Sequence, residues 1–482
     1  MRAGETTNLL KYIILPAAGM LFLFWYIRAA GADVVYSDYF RIINDYLPDV
    51  GDIRKLLVPD ILTRIPAAFL ARLINVSSFG YSVTFDRMLT AAGFAIMAGC
   101  LAAYSYKHEI AFKWQICIYI ILFSLNKWEI ILNGTAWAHV VSFGLFFINY
   151  LLIDLVWSGE ASGPEELLVC AMPLVMLLFA GEYIVSYACT LMLLSLLGIL
   201  TGGANSWAAR REKSLFRRVL IVSALSLILY ALSRSFAVWQ HAGASDIGII
   251  EMLKQDPAYL VRFFVRTFSG TAVGQETAAA FFRNGAPLPD GAVLVLGLAV
   301  MAAYVLAVIL YFRSDMLEKT VFPLVLIVSG AANHVLVTAA RWNFLNENYA
   351  MSSRYGGQLM IGLIGIILVF SMFGKQKRSY RRAVEQRRRR AEAAAAVITV
   401  LIILGNCYTT YQEIHKAKYR EENYERMAEA ILHYEAFEEE ALMSTLEWHK
   451  APEDLYSAIK ILKDNKLNVF RKPHFDAGQE ER

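Results

Sequence analysis

The 482-residue chain is 57% hydrophobic, 13% aromatic and only 18% charged, and long runs without charge recur along most of its length. That composition excludes a soluble globular domain and marks an all-α polytopic membrane protein, with membrane lipids as neighbours and no nucleic-acid partner expected. The net charge of +4 is small but unevenly placed, since residues 375–390 hold nine basic side chains and one acid.

The first apolar run, residues 10–30, is too long for a removed signal peptide and lacks a small-residue cleavage site, so it is expected to stay as an anchor. After it comes an outward loop, 31–83, that opens with YSDYFRIINDYLPDVGD. At helical spacing Asp38, Arg41 and Asp45 share one face and predict a polar stripe against the membrane surface, with Asp49 and Asp52 as solvated turn residues. Residues 60–79 space apolar side chains at helical intervals with Arg64 and Arg72 on the other face, the pattern of a helix lying in the interface.

Further runs near 84–105, 114–132, 136–157, 166–181, 183–201, 216–237, 290–312, 319–340, 355–374 and 393–411 bring the expected spans to eleven, each long enough to cross a bilayer as a helix or nearly so. The fifth and sixth could instead be one helix broken at Gly181-Glu182. Between spans seven and eight the long loop 238–289 predicts a second surface helix over 249–268, interrupted at Pro257. The chain then divides into a transmembrane domain, 1–411, and a helical tail, 412–482, with an acidic amphipathic helix over 419–449.

Lys and Arg in short loops set orientation. With the N-terminus cytoplasmic, the loops 106–113, 209–218, 312–319 and 375–391 all fall inside, provided spans five and six are separate helices. The acid-rich loop, the segment LNKWEIILNGTAW (125–137), the loop 238–289, the segment RWNFLNENYAMSSRYGGQ (341–358) and the C-terminal tail then lie outside. The five cysteines fall in or beside apolar runs and read as packing residues.

Ionisable groups at membrane depth are expensive, which makes each a candidate for function. Asp38 is either a solvated loop acid or the first member of a polar site. Glu129 is either a carboxylate presented at the surface or the partner of Lys127. Glu182, at the tight junction of two spans, reads as structural or cavity-lining. His139 and His334 lack ligand-spaced neighbours and read as hydrogen-bonded core residues. Arg234, Arg341 and Arg354 sit at outer helix ends, where a guanidinium either snorkels to headgroups or grips a phosphate.

This layout resembles the GT-C glycosyltransferases, polytopic enzymes that take a sugar from a polyprenyl-phosphate carrier on the outer face of a membrane. YSDYFRIINDYL followed by DILTRIPAAFLARLINVSSF is similar to the first outward loop of that group, an acid near the membrane exit running into interfacial helices. The resemblance puts Asp38 at the catalytic acid and Glu129 at the second acid of the next outward loop. SSRYGGQL is similar to the Arg-Tyr pair that opens a late span in many bacterial members, with Arg354 and Tyr355 in place but glycines where the proline stands. The closing LKDNKLNVF resembles tails of bacterial members. The resemblance implies a polyprenyl-phosphate-linked sugar donor and a glycan or lipid acceptor, with Arg41, Asp45, Glu182, Arg341, Arg354 and Tyr355 as substrate-binding residues. A divalent cation where Asp38 and Glu129 converge is compatible with the sequence but not required by it.

Two other functions use similar features. A transporter or flippase of lipid-linked saccharides would need outward arginines and aromatics, but usually shows paired repeats and midplane charges, and no internal repeat is visible here. An envelope polysaccharide polymerase or ligase would rely on a large outward loop with arginines, as Arg262, Arg266 and Arg283 would supply.

Overall fold

The computed structural model describes residues 3–60, 63–201, 207–234, 244–373 and 382–471. The chain is an all-α polytopic membrane protein. In order, the helices are α1 (Ala3–Ala30), α2 (Asp38–Tyr46), α3 (Pro66–Ile74), α4 (Val83–Lys107), α5 (Phe112–Phe123), α6 (Trp128–Leu132), α7 (Trp137–Trp157), α8 (Gly163–Val175), α9 (Ile184–Thr201) and α10 (Trp207–Arg234). They continue with α11 (Ile249–Gln255), α12 (Tyr259–Ala272), α13 (Gln275–Ala279), α14 (Asp290–Arg313), α15 (Met316–Lys319), α16 (Phe322–Arg341), α17 (Gly356–Phe373), α18 (Arg382–Leu432), α19 (Glu439–Thr445) and α20 (Pro452–Asp464). The extended pairing among the described residues is confined to Pro59 with Arg64 and Asp60 with Thr63.

Ten helical segments among the described residues are long and apolar enough to cross a membrane. The expected fifth span falls short of that length: α8 has 13 residues and continues as one 3₁₀ turn, Met176–Leu178. It still makes the return leg, because it joins the end of α7 at Trp157 to Glu182 beside the N-terminus of α7. Spans five and six are thus separate helices, the first a short one carrying Pro173.

The connections sort to two ends of the bundle. At one end Lys107 pairs with Glu160, and the Trp157 indole donates to the Leu317 carbonyl. There Asp154 caps α16, accepting from the amides of Val321 and Phe322 at 2.7 and 3.0 Å. At the other end gather Asp38, Glu129, Glu182, Arg234, Arg341, Arg354 and Glu447. Of the expected loop 375–391, residues 375–381 lie outside the described residues, and 382–391 are the start of α18 rather than loop.

Four expectations change in the loops and the tail. Helix α2 does not lie on the surface as a polar stripe: Tyr39, Phe40, Arg41, Ile42, Ile43 and Tyr46 are buried, and α20 packs against it, with the Asn44 amide donating to the Asp454 carbonyl at 2.8 Å. Helix α3 does not keep its arginine on an outer face: Arg72 is buried together with Phe69 and Ala71, while Leu70 and Ile74 are exposed. Arg72 turns in because Asp86, in the first turn of α4, offers its carboxylate at 2.5 Å in a fully enclosed position. The break at Pro257 is present, but α12 dips into the bundle against α14 and α16, burying Val265 to Ala272. The tail also does not begin as a new unit at 412, because α18 runs unbroken for 51 residues from Arg382 to Leu432.

Candidate functional site

The site starts at the break after α5. Ser124 leaves the helix with its hydroxyl accepting from the Asn126 amide, and the Asn126 side chain donates to the Gly270 carbonyl at 2.8 Å. Lys127 folds back so that its ammonium donates to the carbonyls of Ile121 and Ser124, both at 2.9 Å, satisfying the orphan acceptors at the end of α5. Lys127 is therefore committed elsewhere, and the expected Lys127–Glu129 pair does not form. Glu129, in the first turn of α6, instead takes the Arg354 Nε–H and the Ser353 hydroxyl.

The turn carrying Arg354 explains the glycines that replace the expected proline. A Cβ on Gly356 would sit 2.9 Å from both the Asn126 carbonyl oxygen and the Lys127 Cβ. The chain after Tyr355 must approach the 125–127 turn this closely to bring Arg354 onto Glu129, and only glycine leaves the room.

Asp38 is positioned from below by a fully buried polar cluster. Tyr39, the next residue, donates its hydroxyl to Asp86 Oδ2 at 2.8 Å, while Arg72 and Asn75 donate to the same carboxylate. Burial and the Asp86 charge hold the Tyr39 phenol well above its ordinary range, so it stays a donor. Asp38 itself opens α2 after Ser37, whose φ of 52° is unusual for a residue with a side chain. Among the described residues Asp38 has no hydrogen-bond or ion-pair partner.

Above these groups lies a cavity of about 820 Å³. Asp38, Arg41, Glu129, Glu182, Arg341, Arg354 and Tyr355 all line it, from five separate stretches of sequence. Asp45 does not: Arg41 reaches back to it along α2 at 3.5 Å, so it braces Arg41 from behind the wall. Arg341 is held by the Tyr355 hydroxyl, which accepts its Nε–H at 2.8 Å. Arg234, at the end of α10, joins the same volume.

His139 also differs from expectation, since it lines the cavity and packs edge-on to Tyr183, its ring centroid 4.8 Å away. His334 is a core histidine as expected, hydrogen-bonded to the Thr267 hydroxyl at 2.8 Å and stacked on Phe268. Two arginines of the long loop are spent on structure, Arg262 pairing with Asp256 and Glu347 and Arg266 with Glu347 and Asp290, while Arg283 is exposed and does not line the cavity. Asp256 is held below the usual carboxylate range by the hydrogen bond from Arg262.

Sequence reasoning missed the fourth wall. Glu447, Trp448, His449 and Lys450, between α19 and α20, line the cavity beside Ser37 and Asp38. Burial, then the neighbouring Glu129 charge, raises the Glu447 carboxyl above its ordinary range, while burial, then Arg41, lowers the Lys450 ammonium. No local signal in STLEWHK distinguishes this acid from the others in the tail. Only the packing of α20 on α2 brings it to the site.

Among the described residues no group of three or more His, Cys, Asp or Glu side chains is placed to hold a metal ion, and Glu129 is already engaged by Arg354 and Ser353. The cavity can therefore offer the carboxylates of Asp38, Glu182 and Glu447, unpaired among the described residues, the neutralised carboxylate of Glu129 and several guanidinium groups to one bound molecule. Comparison with protein-family models, curated proteins and solved structures finds no match to this chain.

Proposed function

We propose that the protein is a membrane glycosyltransferase that moves a sugar from a polyprenyl-phosphate carrier to a cell-envelope glycan or lipid, with the cavity as its active site. The observation that carries this reading is the free carboxylate of Asp38 in one 820 Å³ volume with the guanidinium groups of Arg354, Arg341 and Arg234. Glycosyl transfer needs both kinds of group. A base must take the acceptor hydroxyl proton as its oxygen bonds to the anomeric carbon, and cationic donors must stabilise the phosphate that leaves with the old bond's electrons.

In this reading Asp38 is the base. Arg354 is fixed by Glu129 and Arg341 by Tyr355, so both guanidinium groups are held in place at the cavity wall. Apolar residues on the cavity wall, Ile65, Ile130 and Leu336 among them, suit the first carbons of a lipid carrier. A non-cytoplasmic cavity is supported by the positive-inside rule, since Lys107, Arg313 and Lys319 lie with the opposite end, as does the basic start of α10 by sequence. The polymerase reading loses support, since Arg262 and Arg266 are locked in ion pairs away from the cavity.

The test is the Asp38→Asn variant in cells from which the gene has been deleted. Wild-type protein should restore the envelope glycan lost on deletion, and the variant, inserted at the same level, should not. Full restoration by Asp38→Asn would remove Asp38 as the base.

A further inference from the structure

The turn from Glu447 to Lys450 belongs to a tail that the sequence alone leaves without a task, yet it forms the cavity wall directly beside the start of α2. Its backbone is built for that place. The Ser37 amide donates to the Leu446 carbonyl at 2.9 Å, the Trp448 ring meets Phe40 edge-on at 6.0 Å, and the Trp448 indole N–H ties to the Ala451 carbonyl at 2.8 Å. Two residues with side chains hold left-handed backbone at this seam, Ser37 at φ 52° and Glu447 at φ 53°. Such conformations persist only where the surroundings enforce them, and they concentrate at functional sites.

The Glu447 carboxylate has no hydrogen-bond or ion-pair partner among the described residues, although the tail around it is well bonded. Its charged and titratable neighbours are Glu129, Arg354, His449 and Arg420, with the phenols of Tyr36 and Tyr424 also within electrostatic reach. An unpaired carboxylate in a site of this kind has acceptor capacity and nothing in the protein to use it on. A carboxylate with two free oxygens matches two neighbouring hydroxyls on one ring.

Resting on the glycosyltransferase reading, we propose that Glu447 is a substrate-contacting residue that holds neighbouring hydroxyls of the acceptor on the same stretch of cavity wall as Asp38, so that the acceptor is a saccharide rather than an isolated lipid or protein hydroxyl. The sugar lies against both carboxylates: Asp38 takes the hydroxyl that reacts, and Glu447 fixes the ring by hydroxyls that do not. The raised Glu447 carboxyl means that its charged form, the better acceptor, is gained only above the ordinary carboxylate range of about 4.3.

The experiment compares wild type, Asp38→Asn, Glu447→Gln and Glu447→Gly in cells lacking the gene, measuring the rate of glycan completion in washed cells across about pH 5 to 8. Glycine adopts the left-handed backbone freely, so Glu447→Gly keeps the turn and isolates the side chain. We expect Glu447→Gly to lose about 10²-fold in rate at normal membrane abundance and Glu447→Gln to lose less. Both variants should lose the part of the rise in rate with pH that Glu447 contributes. Mass spectrometry of the deletion strain should reveal an accumulated saccharide short by one sugar. If Asp38→Asn is inactive while both Glu447 variants keep the wild-type rate and pH profile, this inference falls and the enzyme reading stands. An accumulated acceptor that carries no sugar overturns the inference as well. Full activity of Asp38→Asn, or no glycan lost on deletion, overturns the reading beneath it and the inference with it.

Discussion

Two arginine–carboxylate pairs stand at the same end of this molecule, and their surroundings separate scaffold from site. Arg72–Asp86 is sealed, with side-chain exposures of 3% and 0%, and Tyr39 and Asn75 complete the carboxylate's bonds. Arg354–Glu129 is open, at 39% and 16%, and faces the cavity. The chemistry is the same in both. In the closed pair each charge depends wholly on its partner, whereas in the open pair solvent or a ligand can replace it.

The largest expected effect comes from breaking the closed pair. Asp86→Ala should leave Arg72 buried and unpaired and cost about 3–5 kcal/mol, read as loss of the protein from membranes or of its thermal transition in detergent. Arg72→Met together with Asp86→Leu should recover much of that loss, because no buried charge then remains. If Asp86→Ala left stability unchanged, the closed pair would not be the anchor of α2.

Next in size is Asp38→Asn, which keeps shape and abundance but should reduce transfer by about 10²–10⁴-fold, measured as glycan restored in the deletion strain. Arg354→Lys should follow, with about 10- to 100-fold lower transfer, because an ammonium cannot reproduce the planar fork held by Glu129. Its stability should move by no more than about 1 kcal/mol, since the pair is partly solvated. A stability loss as great as that of Asp86→Ala would erase the distinction between the two pairs.

The smallest effect belongs to Asp52, whose exposed carboxylate is bound only by its neighbour Arg54 and is pulled down to about 2 by that hydrogen bond. A depressed carboxyl contributes stability above its unfolded value near 4 and loses it as pH falls through about 2. Asp52→Asn should therefore leave abundance, activity and the pH profile between about 5 and 8 unchanged.

Much of the architecture was legible in the sequence because a bilayer imposes simple rules of length and polarity. Apolar runs must be about 17 to 25 residues long to span, and the long runs appear as helices near the expected bounds. The short α8 strained that rule, yet the placement of Glu182 with the other loop residues follows from two separate legs. Periodicity failed for α3, where helical spacing correctly gave an amphipathic helix but not its direction. In a membrane the apolar face can look outward to lipid and the arginine inward to Asp86, the reverse of a surface helix.

What the sequence determined by itself is the class of fold, the alternation of the loops between two ends, and the residue types worth watching at one of them. These depend on composition and spacing along the chain, which need no knowledge of packing. Only the tertiary structure decided which charges are free. Lys127 is consumed by the end of α5, Arg262 and Arg266 by Glu347, Asp45 by Arg41, and Asp38 by none of the described residues. Only it could bring Glu447 within reach of Glu129, more than 300 positions earlier in the chain. Pairing is a matter of distance in space, and a charge becomes available for chemistry only when no neighbour has claimed it.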